Sequence, residues 1–129
     1  MINGVHHIAL RALDFDASMK FYTEGLGLKV RTTWQSGANR AAMIELGGGS
    51  CIELFEGGVG EKTEPAMQAG EWFHLALRTD DTDAVYQAAL AAGATSKMEP
   101  KSAQIGDMPI RIAFVYGPSN EVIEFFKEG

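Results

Sequence analysis

A short phrase of this chain occurs twice. His7-Ile8-Ala9-Leu10-Arg11 returns as His74-Leu75-Ala76-Leu77-Arg78, displaced by 67 positions. At the same displacement Asp14 matches Asp81, Asp16 matches Asp83 and Ala17 matches Ala84. Each copy then closes on a Glu-bearing apolar run, Ile52-Glu53-Leu54-Phe55 and Ile123-Glu124-Phe125-Phe126, displaced by 71 positions, so the loops differ slightly in length. This duplication constrains the fold more than any composition does. Both halves must build the same unit, and a unit of that size buries too little sheet surface to stand alone. The halves therefore pack together or exchange with a second subunit.

Alternation and turn residues give the unit its order. Val5 to Arg11 reads as a strand, with His7, Ala9 and Arg11 on one face. Asp14 and Asp16 can cap a helix over Ala17 to Glu24, stopped by Gly25 and Gly27. Strands follow at Leu28 to Trp34, Ala41 to Leu46 and Cys51 to Phe55, the last two joined by Gly47-Gly48-Gly49-Ser50. The glycines of Gly57 to Ala69 mark the linker. The pattern then restarts: a strand over Trp72 to Thr79, a helix from about Thr82 to Ala92 capped by Asp80 or Asp81, a weak strand over Ala94 to Ala103, and strands at Ile110 to Tyr116 and Val122 to Lys127. The expectation is an α+β fold of two tandem βαβββ modules, residues 1–57 and 70–129, joined by a linker at 58–69. Their curled mixed sheet would surround a central metal cavity.

Composition removes whole classes of function. A net charge of −6 disfavours nucleic acid and anionic membranes as partners. No apolar run is long enough to span a bilayer. Met1-Ile2-Asn3-Gly4 has neither the basic flank nor the apolar core of a signal peptide, so none is expected. The single Cys51 allows no internal disulfide and suits a cytoplasmic setting.

Four side chains carry the chemistry. Glu53 and Glu124 stand inside apolar strands, where an ionised carboxylate costs several kcal/mol unless it is paired. Arg11 and Arg78 are possible partners; a metal ion is the other. His7, Glu53, His74 and Glu124 would give two neutral imidazoles and two carboxylates around a divalent cation, a donor set that suits nickel, zinc, cobalt, manganese or iron. Against this stands the plain reading that a lone strand histidine is packed or at an edge and a lone strand glutamate faces solvent. Arg11 and Arg78, on the histidine faces, could bind an anionic substrate or pair with Glu45, Glu99 or another acid. Cys51 reads as a packed thiol, Trp34, Trp72 and Tyr116 as core aromatics, and His6 as a surface or interface residue.

The chain resembles the vicinal oxygen chelate superfamily of glyoxalases, dioxygenases and bleomycin resistance proteins. The resemblance rests on Val5-His6-His7-Ile8-Ala9-Leu10, Phe21-Tyr22-Thr23-Glu24-Gly25-Leu26-Gly27-Leu28, Ile52-Glu53-Leu54, His74-Leu75-Ala76-Leu77 and Gly117-Pro118-Ser119-Asn120-Glu121-Val122-Ile123-Glu124. It implies that His7, rather than His6, is the first metal ligand, with Glu53, His74 and Glu124 completing the set. Four ligands of this type resemble glyoxalase I most. That implies a metal-dependent lyase or isomerase acting on a small oxygen-chelating substrate, such as a methylglyoxal hemithioacetal, through an enediolate. Glu124 or Glu53 would move the proton, and a homodimer is implied. Arg11 fits the position that holds a glutathione carboxylate. Gly57 replaces the usual Asn, Gly117-Pro118-Ser119-Asn120 replaces the usual Asp-Pro-Asp/Asn-Gly, and no Lys stands around Gly106-Asp107-Met108-Pro109. The alternatives are a non-catalytic small-molecule-binding or antibiotic-resistance protein and an iron-dependent dioxygenase.

Overall fold

The duplicated phrase folds into duplicated topology. A computed structural model describes residues 1–60 and 69–129. The chain divides into two compact units, Met1–Gly60 and Glu61–Gly129. Most of the expected linker falls outside the described residues.

In the first unit β1 (His7–Arg11) leads through α1 (Phe15–Lys20) to β2 (Val30–Ser36), β3 (Asn39–Gly47) and β4 (Ser50–Phe55). The sheet order is β1-β4-β3-β2, with β1 parallel to β4 and the other pairs antiparallel. Asp14 caps α1: its Oδ1 accepts the Ala17 N–H at 3.0 Å. The expected helix over Ala17 to Glu24 is in fact two pieces. α1 ends at Lys20 and a π-helical turn, Phe21–Gly25, follows, the Leu26 N–H reaching the Phe21 carbonyl at 2.9 Å. Phe15, Phe21 and Tyr22 are buried, as are Ala42, Ile44, Ile52 and Leu54 of the sheet.

The second unit repeats this as β5 (Leu75–Arg78), α2 (Thr82–Ala91), β6 (Thr95–Ile105), β7 (Met108–Tyr116) and β8 (Val122–Glu128). The order is β5-β8-β7-β6, with β5 parallel to β8. Asp81 is the cap of α2, its Oδ1 accepting the Ala84 N–H at 3.0 Å. The helix lies against β6, β7 and β8. Tyr86, Ala89, Ile110, Ala113, Val115, Ile123 and Phe125 are buried. Both sheets are four-stranded, mixed and open, the arrangement of tandem βαβββ modules.

Three strand expectations shift. β1 and β5 begin later than their hydrophobic pattern suggests, because Val5 and Trp72-Phe73 are apolar but lie outside the ladder. β6, weak in sequence, is the longest strand. Its Pro100 removes a donor, yet β6 is an edge strand and its register shifts between Met98 and Lys101, where a proline is tolerated.

Candidate metal centre

Each His–Glu pair arises from one register. In the first sheet Ala9 lies opposite Glu53; in the second Ala76 lies opposite Glu124. The alanine leaves space above the carboxylate, and the histidine two residues earlier reaches across it. His7 Nε2 comes to 3.6 Å from Glu53 Oε1, and His74 Nε2 to 3.0 Å from Glu124 Oε1. The sheets thus bring His7 to Glu53 and His74 to Glu124.

These spacings fit a shared cation. Ligand atoms about 2.1 Å from one metal are roughly 3.0 Å apart at right angles and about 3.4 Å apart in a tetrahedron. The second pair matches the first figure, and the first pair opens slightly beyond the second. Each pair alone offers two donors. Among the described residues no three His, Cys, Asp or Glu side chains gather closely enough to hold a metal ion by themselves.

The two carboxylates differ in surroundings. Glu124 is 7% exposed. Burial pushes its carboxyl above the ordinary glutamate range, and the nearby His74 pulls it part of the way back. Glu53 is only half-buried. Met43 stands opposite Glu53, while Phe114 stands at the matching place opposite Glu124. The Phe114 ring meets the His74 ring edge to face at 5.2 Å.

The arginines part company. Arg11 is tied down: its Nη1 donates to the Glu56 carbonyl at 2.9 Å, and its guanidinium lies 5.4 Å from the centre of the Phe55 ring. The Trp34 ring meets the Phe55 ring edge to face at 5.9 Å. Among the described residues Arg78 makes no ion pair. Neither arginine neutralises its neighbouring glutamate, and neither pairs with Glu45 or Glu99.

Other expectations resolve as follows. Cys51 is a buried free thiol. Trp72 is not core; it is 93% exposed. Trp34 and Tyr116 are half-buried, Tyr116 beneath the Lys97 ammonium at 5.6 Å. His6 is exposed but not idle, since its Nδ1 lies 2.9 Å from His7 Nδ1. That contact, the Ala9 and Ala76 gaps and the Phe114 ring were missed from sequence. Matching residue 43 to 114 by the displacement of 71 would have flagged the last.

The turn before β8 explains one departure from the family pattern. Asn120 has φ +61°, a left-handed conformation that Gly or Asn adopts most easily, and it takes the place of the usual Gly. The Glu121 carboxylate accepts the Ser119 N–H at 2.8 Å. It fills the space beside Gly117, where a Cβ would come within 2.5 Å of it. A carboxylate from Glu121 thus occupies the place that the usual Asp side chain at position 117 would take.

Sequence comparison gives the same class. Residues 4–125 match the Glyoxalase/Bleomycin resistance protein/Dioxygenase superfamily, and the chain belongs to that superfamily. Among individual relatives, an uncharacterised protein of Bacillus subtilis, YwbC, is 35% identical, covering 98% of this chain and 99% of its own. The lactoylglutathione lyase of Haemophilus influenzae is 32% identical over 94% of this chain and 90% of its own. The crystal structure of SMU.1112c superposes with a TM-score of 0.80 at 22% identity, covering 98% of this chain and 99% of that one. No helix among the described residues is long and apolar enough to cross a membrane.

Proposed function

We propose that this protein is a metal-dependent lyase or isomerase of glyoxalase I type, with His7, Glu53, His74 and Glu124 as the four protein ligands of one divalent ion. The observation that carries this reading is the pair of matched His–Glu contacts at 3.6 and 3.0 Å, repeated in one register. Superfamily membership and the 32% identity to a lactoylglutathione lyase support it. A bound divalent ion would supply Lewis-acid stabilisation of charge on adjacent substrate oxygens. Nickel, zinc, cobalt, manganese and iron all suit the donor set.

The chain's own residues do the proton work. Glu124, the more buried of the two glutamates, takes the proton from the carbon beside the substrate carbonyl and returns it to the neighbouring carbon. Glu53, more exposed, serves first as a ligand. Arg78 is the cation available to a substrate anion. Arg11, held by Phe55 and Glu56, is a poorer clamp than the family pattern implies, and Gly57 offers no side chain at all. The substrate is therefore a small oxygen chelator that need not be a glutathione adduct. The same reading includes a cytoplasmic homodimer.

Metal titration and turnover test this together. Metal-free protein should bind one nickel, cobalt or zinc ion for every two His–Glu pairs. Either Glu53→Gln or Glu124→Gln should remove most activity, roughly a hundredfold or more, while folding survives. Turnover of the methylglyoxal–glutathione hemithioacetal decides the substrate. No turnover of it with any of these metals would discard the glyoxalase assignment and leave the superfamily intact. A second reading, a non-catalytic binding protein of the same fold, draws on the incomplete glutathione clamp. It requires small-molecule binding that survives chelation.

A further inference from the structure

The two copies differ in the residue that precedes the histidine: His6 in the first, Phe73 in the second. His6 Nδ1 and His7 Nδ1 lie 2.9 Å apart, with the rings edge to face at 86°. At that distance one nitrogen must carry a proton and the other a free lone pair, because two N–H groups or two lone pairs would repel. His7 turns its other nitrogen, Nε2, toward Glu53. Once the Nε2 lone pair is given to a metal, the proton of neutral His7 must sit on Nδ1. The acceptor beside that N–H is the Nδ1 lone pair of His6.

We infer that His6 is a positioning residue for metal binding at His7. It accepts the His7 Nδ1–H, and so fixes both the tautomer and the ring rotation that aim Nε2 at Glu53. Metal-ligating histidines are commonly held through their second nitrogen in this way. The inference rests on the metal centre proposed above. The second copy holds its histidine differently. His74 lies against Phe73 at 5.8 Å and Phe114 at 5.2 Å, and its Nε2 is already 3.0 Å from Glu124. The first copy has the looser pair, and it is the one with a hydrogen-bonding neighbour.

Calorimetric titration with Ni2+ alone distinguishes the hydrogen bond from ring packing. His6→Phe copies the residue of the second half and keeps a ring beside His7, but has no acceptor. It should weaken Ni2+ binding roughly tenfold. His6→Asn places an amide oxygen near the former Nδ1 and should stay much closer to wild type. Metal-free melting temperatures report folding separately. In Zn2+-loaded wild type, long-range 1H–15N spectra should find the His6 proton on Nε2. If His6→Phe binds Ni2+ as wild type does, if His6→Asn is as weak as His6→Phe, or if His6 carries its proton on Nδ1 in the loaded protein, the inference is overturned. Wild type that binds no Ni2+ would instead sink the metal centre itself, so the two failures are distinct.

Discussion

The two halves hold the same His–Glu pair in the same register, yet they seat it differently. His7 and Glu53 are 3.6 Å apart, with side chains 39% and 19% exposed; His74 and Glu124 are 3.0 Å apart, at 31% and 9%. The backbone is not the cause, because an alanine faces each glutamate in both sheets. The neighbour across the strand differs: Met43 in one half, Phe114 in the other. The Phe114 ring lies edge to face with His74, and burial raises the proton affinity of Glu124. Duplication thus preserves where the His–Glu pairs stand, while their burial differs. The looser half, in turn, has His6 beside its histidine.

The largest effect that probes this difference lies beneath the ligands. Leu54 and Phe125 are matching, fully buried residues, each one position after the ligand glutamate. Phe125→Ala should destabilise the protein by about 3–5 kcal/mol and Leu54→Ala by about 2–5 kcal/mol, from lost transfer energy plus the cavity left behind. Urea midpoints of the metal-free proteins would measure both. A cost at Leu54 clearly above that at Phe125 would break the view that the second half is the more tightly packed around its ligand strand.

A smaller, opposite effect is expected at the glutamates themselves. Glu124 has its folded pKa raised, so folding favours its protonated form. That contribution is present below the ordinary carboxylate range and is lost as pH rises through the folded value. At neutral pH the charged, buried Glu124 is a net burden on the metal-free fold. Glu124→Gln keeps an oxygen near His74 and removes the charge. It should raise the metal-free melting temperature by roughly 2–5 °C, about what 1 kcal/mol produces in a chain this size. The gain should vanish in acid, where Glu124 is protonated anyway. Glu53→Gln should change the melting temperature little. Stabilisation at Glu124 together with lost turnover would mark it as a site where function is kept at some cost in stability.

Much of this was legible in the sequence, and the reasons are physical. The repeat is readable because both halves need the same small residue opposite the same carboxylate, so Ala9-Leu10-Arg11 and Ala76-Leu77-Arg78 stay identical. Asp14 and Asp81 are readable because a helix cap is a local device with few alternatives. Strand ends are not readable from apolar pattern alone, as Trp72 and Phe73 show: they are apolar yet exposed and outside the ladder. β6 read as weak in sequence, and the pattern does not reveal that it is an edge strand, where its Pro100 is tolerated. The role of His6 depends on the rotation of two rings, which no spacing rule encodes. The same holds for Arg11, whose partners Phe55 and Glu56 lie far along the chain.

The smallest effects come from a second duplicated feature, an arginine clip in each half. Arg40 and Arg111 are matching residues. Arg40 donates to Asp16 at 2.9 Å and to Glu56 at 2.8 Å, and its guanidinium lies 4.7 Å from the centre of the Phe15 ring. Arg111 holds Asp83, with Nη2–Oδ1 at 2.7 Å, and reaches Ser102 at 3.1 Å. The residue matching Glu56 is Lys127, so the second clip has one acid where the first has two. The Arg40 hydrogen bonds hold Glu56 below the usual carboxylate range, and the Arg111 hydrogen bond does the same for Asp83. Depressed carboxylates stabilise the fold above their unfolded pKa and lose that contribution as pH falls through the folded value. Stability should therefore drop as pH falls from about 5 toward 3, the window set by ordinary carboxylate values and these downward shifts. Arg40→Ala and Arg111→Ala should each flatten that acid limb, the first by releasing Glu56 and the second by releasing Asp83. Both effects should shrink in high salt, since the pairs are exposed. Urea midpoints measured across that range in a Glu124→Gln background, which removes a carboxylate shifted in the opposite direction, would isolate the clips. An acid limb left unchanged by Arg40→Ala would show that Glu56 adds nothing to the first clip.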